Sequence, residues 1–236
     1  MSLNQEKNYK INAVVFDVDG TLYNQNKLRV YIAGLILKSI AKNPFKIYKD
    51  LKIVSEYRKN HEKLRLSPET IKKFDKQVSL TAEKFNMDKD KAFETIYDWI
   101  HIKPLPYIKK TKRKDLNELI DWLKEKKIKT GLLSDYPCEM KAEILEIKDK
   151  VDLIKASTDD DIDVFKPETK GFLRMAELLN VKPQEMLYVG DRYKIDILGA
   201  INANVIPVLI NKKKYKDIHN INSLSEIKQI IESING

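Results

Sequence analysis

The chain has 236 residues, 42% of them hydrophobic, and 44 Lys and Arg against 35 Asp and Glu give it a net charge of +9. That much apolar material excludes wholesale disorder, and no apolar run approaches the roughly 20 residues that a membrane-spanning helix needs. A single cysteine, Cys138, excludes an internal disulfide and a cysteine-based metal cluster, and the opening residues do not read as a basic-then-apolar leader, so a cytoplasmic protein is expected.

In chain order, residues 12–16 read as a short buried strand of apolar and β-branched residues. It ends in two carboxylates, Asp17 and Asp19, followed at once by Gly20 and Thr21 within the stretch VVFDVDGTLYN. Residues 25 to about 104 then read as one helix after another, over 28–42, 45–64, 68–85 and 88–100. Pro68 after Ser67 has the form of a capped helix start. KPLPYIK, with Pro104 and Pro106, reads as the linker that closes this insert. Beyond it, strand patterns at 128–133, 153–156, 186–189 and 205–210 alternate with helix patterns at 114–126, 138–147, 169–179 and 195–202, and a last helix is expected over 223–234. Such alternation predicts an α/β fold, an open parallel sheet covered on both faces, with an all-helical insert after the first strand.

Charge is unevenly divided. Residues 24–107 carry 18 basic and 10 acidic side chains, or +8, whereas the rest of the chain carries +1. Solvated helix faces account for this most simply, and a cover over an anion site is the sharper account. No zinc-finger spacing or aromatic-rich RNA-binding signature is present, so nucleic acid is not an expected partner.

Ligands of open α/β sheets bind at the carboxyl ends of strands. After the first strand, Asp17 and Asp19 are two residues apart, so in extended chain they point to the same side, and Gly20 permits a sharp turn. Two such carboxylates repel, and a divalent cation with a taste for hard oxygen, Mg²⁺, would relieve them. After the second comes LLSDYPCEM, where Ser134 is placed for an anion contact or for plain helix capping, and Pro137 suits a first helical turn. After the third comes DVFKPETKGF, with Lys166 before Pro167. After the fourth, YVGDRYKIDILGA supplies Gly190, Asp191 and, five residues on, Asp196. Each signal is weak alone. In this order they supply a nucleophile, an acid/base group, a metal site, a hydroxyl anchor and a positive clamp, the inventory of phosphoryl transfer.

These motifs resemble those of the haloacid dehalogenase superfamily. Asp17-Val18-Asp19-Gly20-Thr21 is similar to its Asp-x-Asp-x-Thr motif, Ser134 to its second, Lys166-Pro167 to its third, and Gly190-Asp191 with Asp196 to its fourth. The resemblance implies a Rossmann-like three-layer core of residues 1–23 and 105–236 and a helical cap of residues 24–104. It also implies roles: Asp17 as nucleophile forming an aspartyl-phosphate, and Asp19 as acid and base. Mg²⁺ would be held by Asp17, the Asp19 main-chain carbonyl and Asp191, and Asp196 would orient Lys166 or the metal's surroundings. Phosphoryl contacts would come from Asp17, Gly20, Thr21, Ser134, Asp135 and Lys166. Asp135 departs from the Asn of many members, TKGF follows KPE where a second Pro is common, and Asn24 stands where acidic residues or serine are frequent. An acid at position 19 favours phosphate transfer over dehalogenation, because a halide leaves without a proton. A phosphatase acting on a small anionic phosphate monoester is the leading expectation, with a sugar phosphomutase or a non-catalytic phosphate-binding regulator as alternatives.

For the cap, Arg58, His61 and Arg65 fall on one helical face and read first as a solvated basic face, second as a greeting for an anion. Tyr23 and Tyr107 flank the insert and read as hinge packing, and His101 receives no role.

Overall fold

The computed structural model describes residues 10–67 and 72–236. Six strands form one all-parallel sheet: β1 (Ala13–Phe16), β2 (Lys129–Ser134), β3 (Leu153–Ala156), β4 (Met186–Gly190), β5 (Ile206–Ile210) and β6 (His219–Ile221). Their order across the sheet is β3-β2-β1-β4-β5-β6. β1 pairs with β2 on one side and with β4 on the other, placing Phe16 opposite both Leu132 and Val189. The chain fills one half of the sheet and then the other, so it reverses direction of travel next to β1, where crevices at the carboxyl ends of strands open.

All four β1 residues are buried, because alternate side chains feed cores on opposite faces. Val14 and Phe16 join Leu116, Leu119, Ile120 and Leu123 of α6 (Leu116–Glu125) and Ile227 and Ile231 of α10 (Glu226–Asn235). The spacing of the α6 residues is the i, i+3, i+4, i+7 stripe of a helix lying on a sheet. Ala13 and Val15 join Phe172, Met175 and Ala176 of α8 (Thr169–Leu178), with Ala200 of α9 (Leu198–Asn202). The result is the Rossmann-like three-layer core.

The insert is helical: α1 (Gln25–Lys42), α2 (Pro44–Arg65), α3 (Lys73–Lys84) and α4 (Lys89–Tyr97), the last running into a π-helical turn at Asp98–Ile102. Asn24, Asn43 and Asp88 cap α1, α2 and α4 by accepting amide hydrogens, and Pro44 opens α2 where its missing N–H costs nothing. Ile53, Tyr57, Val78, Ala82, Ala92 and Ile96 give the insert an apolar cluster of its own. α3 is tied to the core, since Asp163 accepts from the amides of Lys72 and Lys73 at 2.6 and 3.0 Å.

Four expectations need correction. KPLPYIK is not a linker. Most of it forms α5 (Leu105–Thr111), where Pro104 and Pro106 occupy the first-turn positions that proline tolerates and Ile108 enters the core. β6 went unread because its three residues, His-Asn-Ile, carry too little apolar pattern. The helix expected over 138–147 is reduced to α7 (Glu139–Ile144), so Pro137 precedes it, and the helix expected over 195–202 begins as a π-helical turn at Tyr193–Ile197. The helix start assigned to Pro68 lies outside the described residues. Among the described residues no helix is long and apolar enough to cross a membrane.

Candidate active site

β1 delivers Asp17 directly to the sheet's carboxyl edge, where its amide donates to the Val189 carbonyl at 2.9 Å. One carboxylate oxygen accepts from Lys166 Nζ at 2.7 Å, the other from Thr21 Oγ1 at 3.0 Å. Gly20 follows with φ of 98°, and a Cβ there would meet the Asp191 carboxylate at 2.2 Å. Glycine is required twice over, by the left-handed backbone and by the closeness of Asp191. Arg113 fixes this turn by donating to the Thr21 and Gly20 carbonyls at 2.7 and 3.2 Å.

Lys166 is buried among Asp17, Asp196 and Tyr188. Its Nζ donates to Asp196 Oδ1 at 2.7 Å and to the Tyr188 hydroxyl at 2.9 Å, and Tyr188 passes its own hydrogen to the Leu133 carbonyl at 3.2 Å. Burial opposes the lysine's charge, but Asp17 and Asp196 outweigh it and hold its pKa well above the usual value. Asp196 Oδ2 accepts from the Arg192 amide at 3.0 Å. Its backbone fits because Gly190 leaves room: a Cβ there would meet Asp196 Cβ at 2.3 Å.

Asp17, Asp191 and Asp196 each bring a carboxylate oxygen within 4.8 Å of the others. Burial is the main cause that raises Asp17 to about 6, against the pull of Lys166, and raises Asp191 to about 7, reinforced by Asp17 and Asp196. Asp191 Oδ1 is buried without a hydrogen-bond partner. Crowded oxygen donors, proton-hungry at neutral pH and with one orphaned acceptor, suit a hard divalent cation. Asp196 spends its oxygens on Lys166 and the Arg192 amide, and Asp17 spends its own on Lys166 and Thr21, so Asp191, whose Oδ1 accepts no hydrogen bond, is the carboxylate best able to hold one, with Asp17 beside it.

Asp19 does not turn its carboxylate into that group. Lys141 of α7 grips both of its oxygens at 2.6 and 2.8 Å, and the buried Tyr23 hydroxyl donates to Oδ1. Burial works to raise its pKa, yet Lys141 and then Tyr23 hold it below the usual carboxylate range. Asp17 and Asp19 line one cavity, while the ion pair with Lys141 of α7 keeps the Asp19 carboxylate out of the group formed by Asp17, Asp191 and Asp196. Tyr23 does more than pack at the hinge. Tyr107 stacks on Tyr31 at 5.4 Å.

Ser134 is buried at the end of β2, and its Oγ accepts from the Tyr136 amide at 3.4 Å. Asp135 accepts from Arg65 at 2.9 Å and from Arg192 at 3.3 Å, and lies 3.6 Å from His61 Nε2. Burial would raise its pKa, but Lys166, His61 and Arg65 hold it well below the ordinary value. Arg65 also donates to the Lys166 carbonyl. The solvated basic face read for Arg58, His61 and Arg65 therefore holds only for Arg58. His61 and Arg65 are buried, because this end of α2 presses onto the core, where Asp135 waits for them. His101 is buried too, stacked near Tyr97 at 5.1 Å, and burial drives its pKa down to about 4.

One cavity of about 510 Å³ lies between insert and core and is lined by Asp17, Asp19, Ser134, Asp191 and Lys141 at one end.

A family model for the haloacid dehalogenase-like hydrolases matches residues 11–204. The chain belongs to this family. It is 30% identical to a glyceraldehyde 3-phosphate phosphatase of Methanopyrus kandleri, over 88% of this chain and 87% of that one. It is 25% identical to the pyrophosphatase PpaX of Bacillus mycoides, over 96% and 100%. Solved structures share the fold: a HAD phosphatase from Thermococcus onnurineus (TM-score 0.58, 22% identity, 95% of this chain and 100% of that one) and a 2-haloacid dehalogenase from Pseudomonas syringae (TM-score 0.65, 17% identity, 94% and 99%). Within the haloacid dehalogenase-like hydrolases it sorts with phosphatase relatives.

Four side chains of this hydrolase site went unread, Lys141, Tyr188, Arg192 and Arg113, and a fifth, Arg65, was read first as solvated. Arg192 adjoins Asp191, and Tyr188 lies two residues before Gly190 on the same side of β4, so both could have been inferred from strand geometry. Lys141, Arg113 and Arg65 are cations at ordinary helical or loop positions, and only the folding of distant segments makes them part of the site.

Proposed function

We propose that the chain is a Mg²⁺-dependent phosphatase that hydrolyses small phosphate monoesters through an aspartyl-phosphate on Asp17. The observation that carries this reading is Asp17 itself: buried at a strand end, oriented through one oxygen by Lys166 and through the other by Thr21, beside Asp191 with its orphaned Oδ1. An Asp17 carboxylate oxygen attacks phosphorus, the bond to the ester oxygen breaks, and the departing alkoxide takes a proton from Asp19. Water then attacks the phosphorus of the aspartyl-phosphate as Asp19 accepts its proton, and phosphate and free Asp17 result. Held by Lys141 and Tyr23, Asp19 is ionised, the form that the second half needs. Separation from Lys141 raises its affinity for the proton used in the first half. Asp17, Asp191 and the Asp19 main-chain carbonyl are the residues assigned to Mg²⁺, which when bound offsets charge on the transferring phosphoryl group.

Lys166 neutralises the same oxygens, Ser134 and Thr21 supply hydroxyls, and Gly20 and Asp135 contribute through their main-chain amides, since the Asp135 carboxylate is spent on Arg65 and Arg192. Asp196 positions Lys166. We assign residues 24–104 to the cap and 1–23 with 105–236 to the catalytic core, where Ile108 of α5 packs. The partner is a small anionic ester rather than nucleic acid, in a cytoplasmic setting. Hydrolysis of p-nitrophenyl phosphate should require Mg²⁺ and disappear in Asp17→Asn. Undiminished turnover by that variant removes Asp17 as nucleophile and the proposal with it.

A further inference from the structure

Between Asp19 and Asp50 the chain has no acidic residue, and six basic ones stand there: Lys27, Arg29, Lys38, Lys42, Lys46 and Lys49. All six are exposed, and among the described residues only Lys46 of the six has an acidic partner, Asp50 at 2.6 Å. α1 runs through this segment and is apolar on two sides. Its inner side is spent within the fold: Leu28 joins the main core, and Leu35 and Ile36 pack with Ile47 and Val54 of α2. Its outer side carries Val30, Gly34, Leu37 and Ala41, at the i, i+4, i+7 and i+11 spacing of one helical stripe. Val30 is 72% exposed and Leu37 68%, and a Cβ at Gly34 would meet open space. Past the turn, at the head of α2, Phe45 is 87% exposed. Helices that are apolar all round are ordinarily covered on every side, and this one is covered on the inner side alone.

The charges decide what covers the outer side. Helical geometry puts Lys27 and Lys38 along one flank of the stripe and Arg29 along the other. A second copy laid across it would bring two sets of like charges together, with no acid on either segment to receive them. An anionic bilayer supplies both things the surface lacks, negative headgroups for the cations and hydrocarbon just beneath them for the stripe. With cations on both flanks α1 would lie along such a surface, and among the described residues no helix is long and apolar enough to cross it. We infer that the outer face of α1, Val30-Gly34-Leu37-Ala41 with its flanking cations, docks the protein on an anionic membrane surface. This inference stands apart from the reaction on Asp17, since none of the four stripe residues lines the cavity between insert and core.

The test uses the full chain with vesicles of pure phosphatidylcholine and of phosphatidylcholine mixed with phosphatidylglycerol. At low salt the chain should sediment with the mixed vesicles and not with the pure ones, and added salt should release it. Lys42→Gln together with Lys49→Gln should weaken binding by about 20-fold, at roughly fivefold for each cation that an anionic leaflet holds. Leu37→Lys adds charge and removes apolar surface at an exposed position where folding is spared, and should weaken binding by about 10-fold. Leu37→Trp should shift its fluorescence to the blue on the mixed vesicles. No binding to the mixed vesicles, or binding that Leu37→Lys leaves unchanged or tightens, overturns the inference. A concentration-dependent dimer that Leu37→Lys dissolves gives the stripe to a second copy and overturns it as well. Equal binding to polyglutamate, lost in Leu37→Lys, gives the stripe to an acidic protein with the same consequence.

Discussion

Asp191→Asn should make the metal-free protein more stable at pH 8. The native carboxylate is raised from 3.8 to about 7, first by burial and then by Asp17 and Asp196. A raised carboxylate favours the folded state fully below pH 3.8, and that contribution is lost as pH climbs through about 7, because the folded protein holds a proton that the unfolded chain releases. At about 1.4 kcal/mol for each tenfold change in proton affinity, the displacement sets a ceiling of about 4 kcal/mol. Asp17 shares the strain and relaxes when Asp191 is neutralised, so about 2 kcal/mol is expected, or about 4–8 °C in Tm for a chain of this size. The assay is thermal denaturation in EDTA of both proteins at pH 8 and pH 5. The gap should narrow at pH 5, where the native Asp191 already carries its proton. Adding Mg²⁺ should raise the Tm of the native chain and leave that of Asp191→Asn nearly unmoved. A variant less stable at pH 8, or a gap indifferent to pH, refutes the idea that Asp191 is crowded by Asp17 and Asp196 without a hydrogen-bond donor of its own on Oδ1.

Other perturbations reach different parts of the site. Lys166→Met leaves Asp17 and Asp196 buried without their shared cation and should cost about 3–5 kcal/mol in urea denaturation at pH 8. Gly20→Ala drives a methyl group into the Asp191 carboxylate and strains a backbone at φ of 98°; a loss of about 1–3 kcal/mol, with weakened Mg²⁺ dependence of turnover, is the expected reading from melting curves and metal titrations. Asp19→Asn should lower kcat on alkyl phosphates by about 10²–10⁴-fold, with a smaller loss on p-nitrophenyl phosphate, whose leaving group needs little proton assistance.

Much of this arrangement was legible along the chain because strand ends are local. Asp17, Ser134 and Asp191 each follow a short apolar run, and a parallel sheet brings the ends of β1, β2 and β4 together without further information. Lys166 was legible through its neighbour Pro167 and through the order of signals. The partners that decide charge states were not. Lys141 is 122 residues from Asp19, and Arg65 is 70 from Asp135. No periodicity reports that α7 and α2 will aim those cations inward, so a helix face that looked solvated proved to be an interface. The reading of KPLPYIK failed for a different reason: proline marks a helix start as readily as a break, and only the burial of Ile108 decides which.

The position of β1 has a consequence for how such an enzyme can be altered. Walled in by neighbours on both edges and both faces, the segment that carries Asp17 opens to solvent only when the whole domain does, so its amide hydrogens should be among the last to exchange. The α1 residues that line the opposite side of the cavity belong to an inserted helical layer, and Ala33 among them is open to solvent. The two walls of one cavity thus differ in tolerance, and substitutions on the α1 wall can reshape it without loosening the strand that carries Asp17.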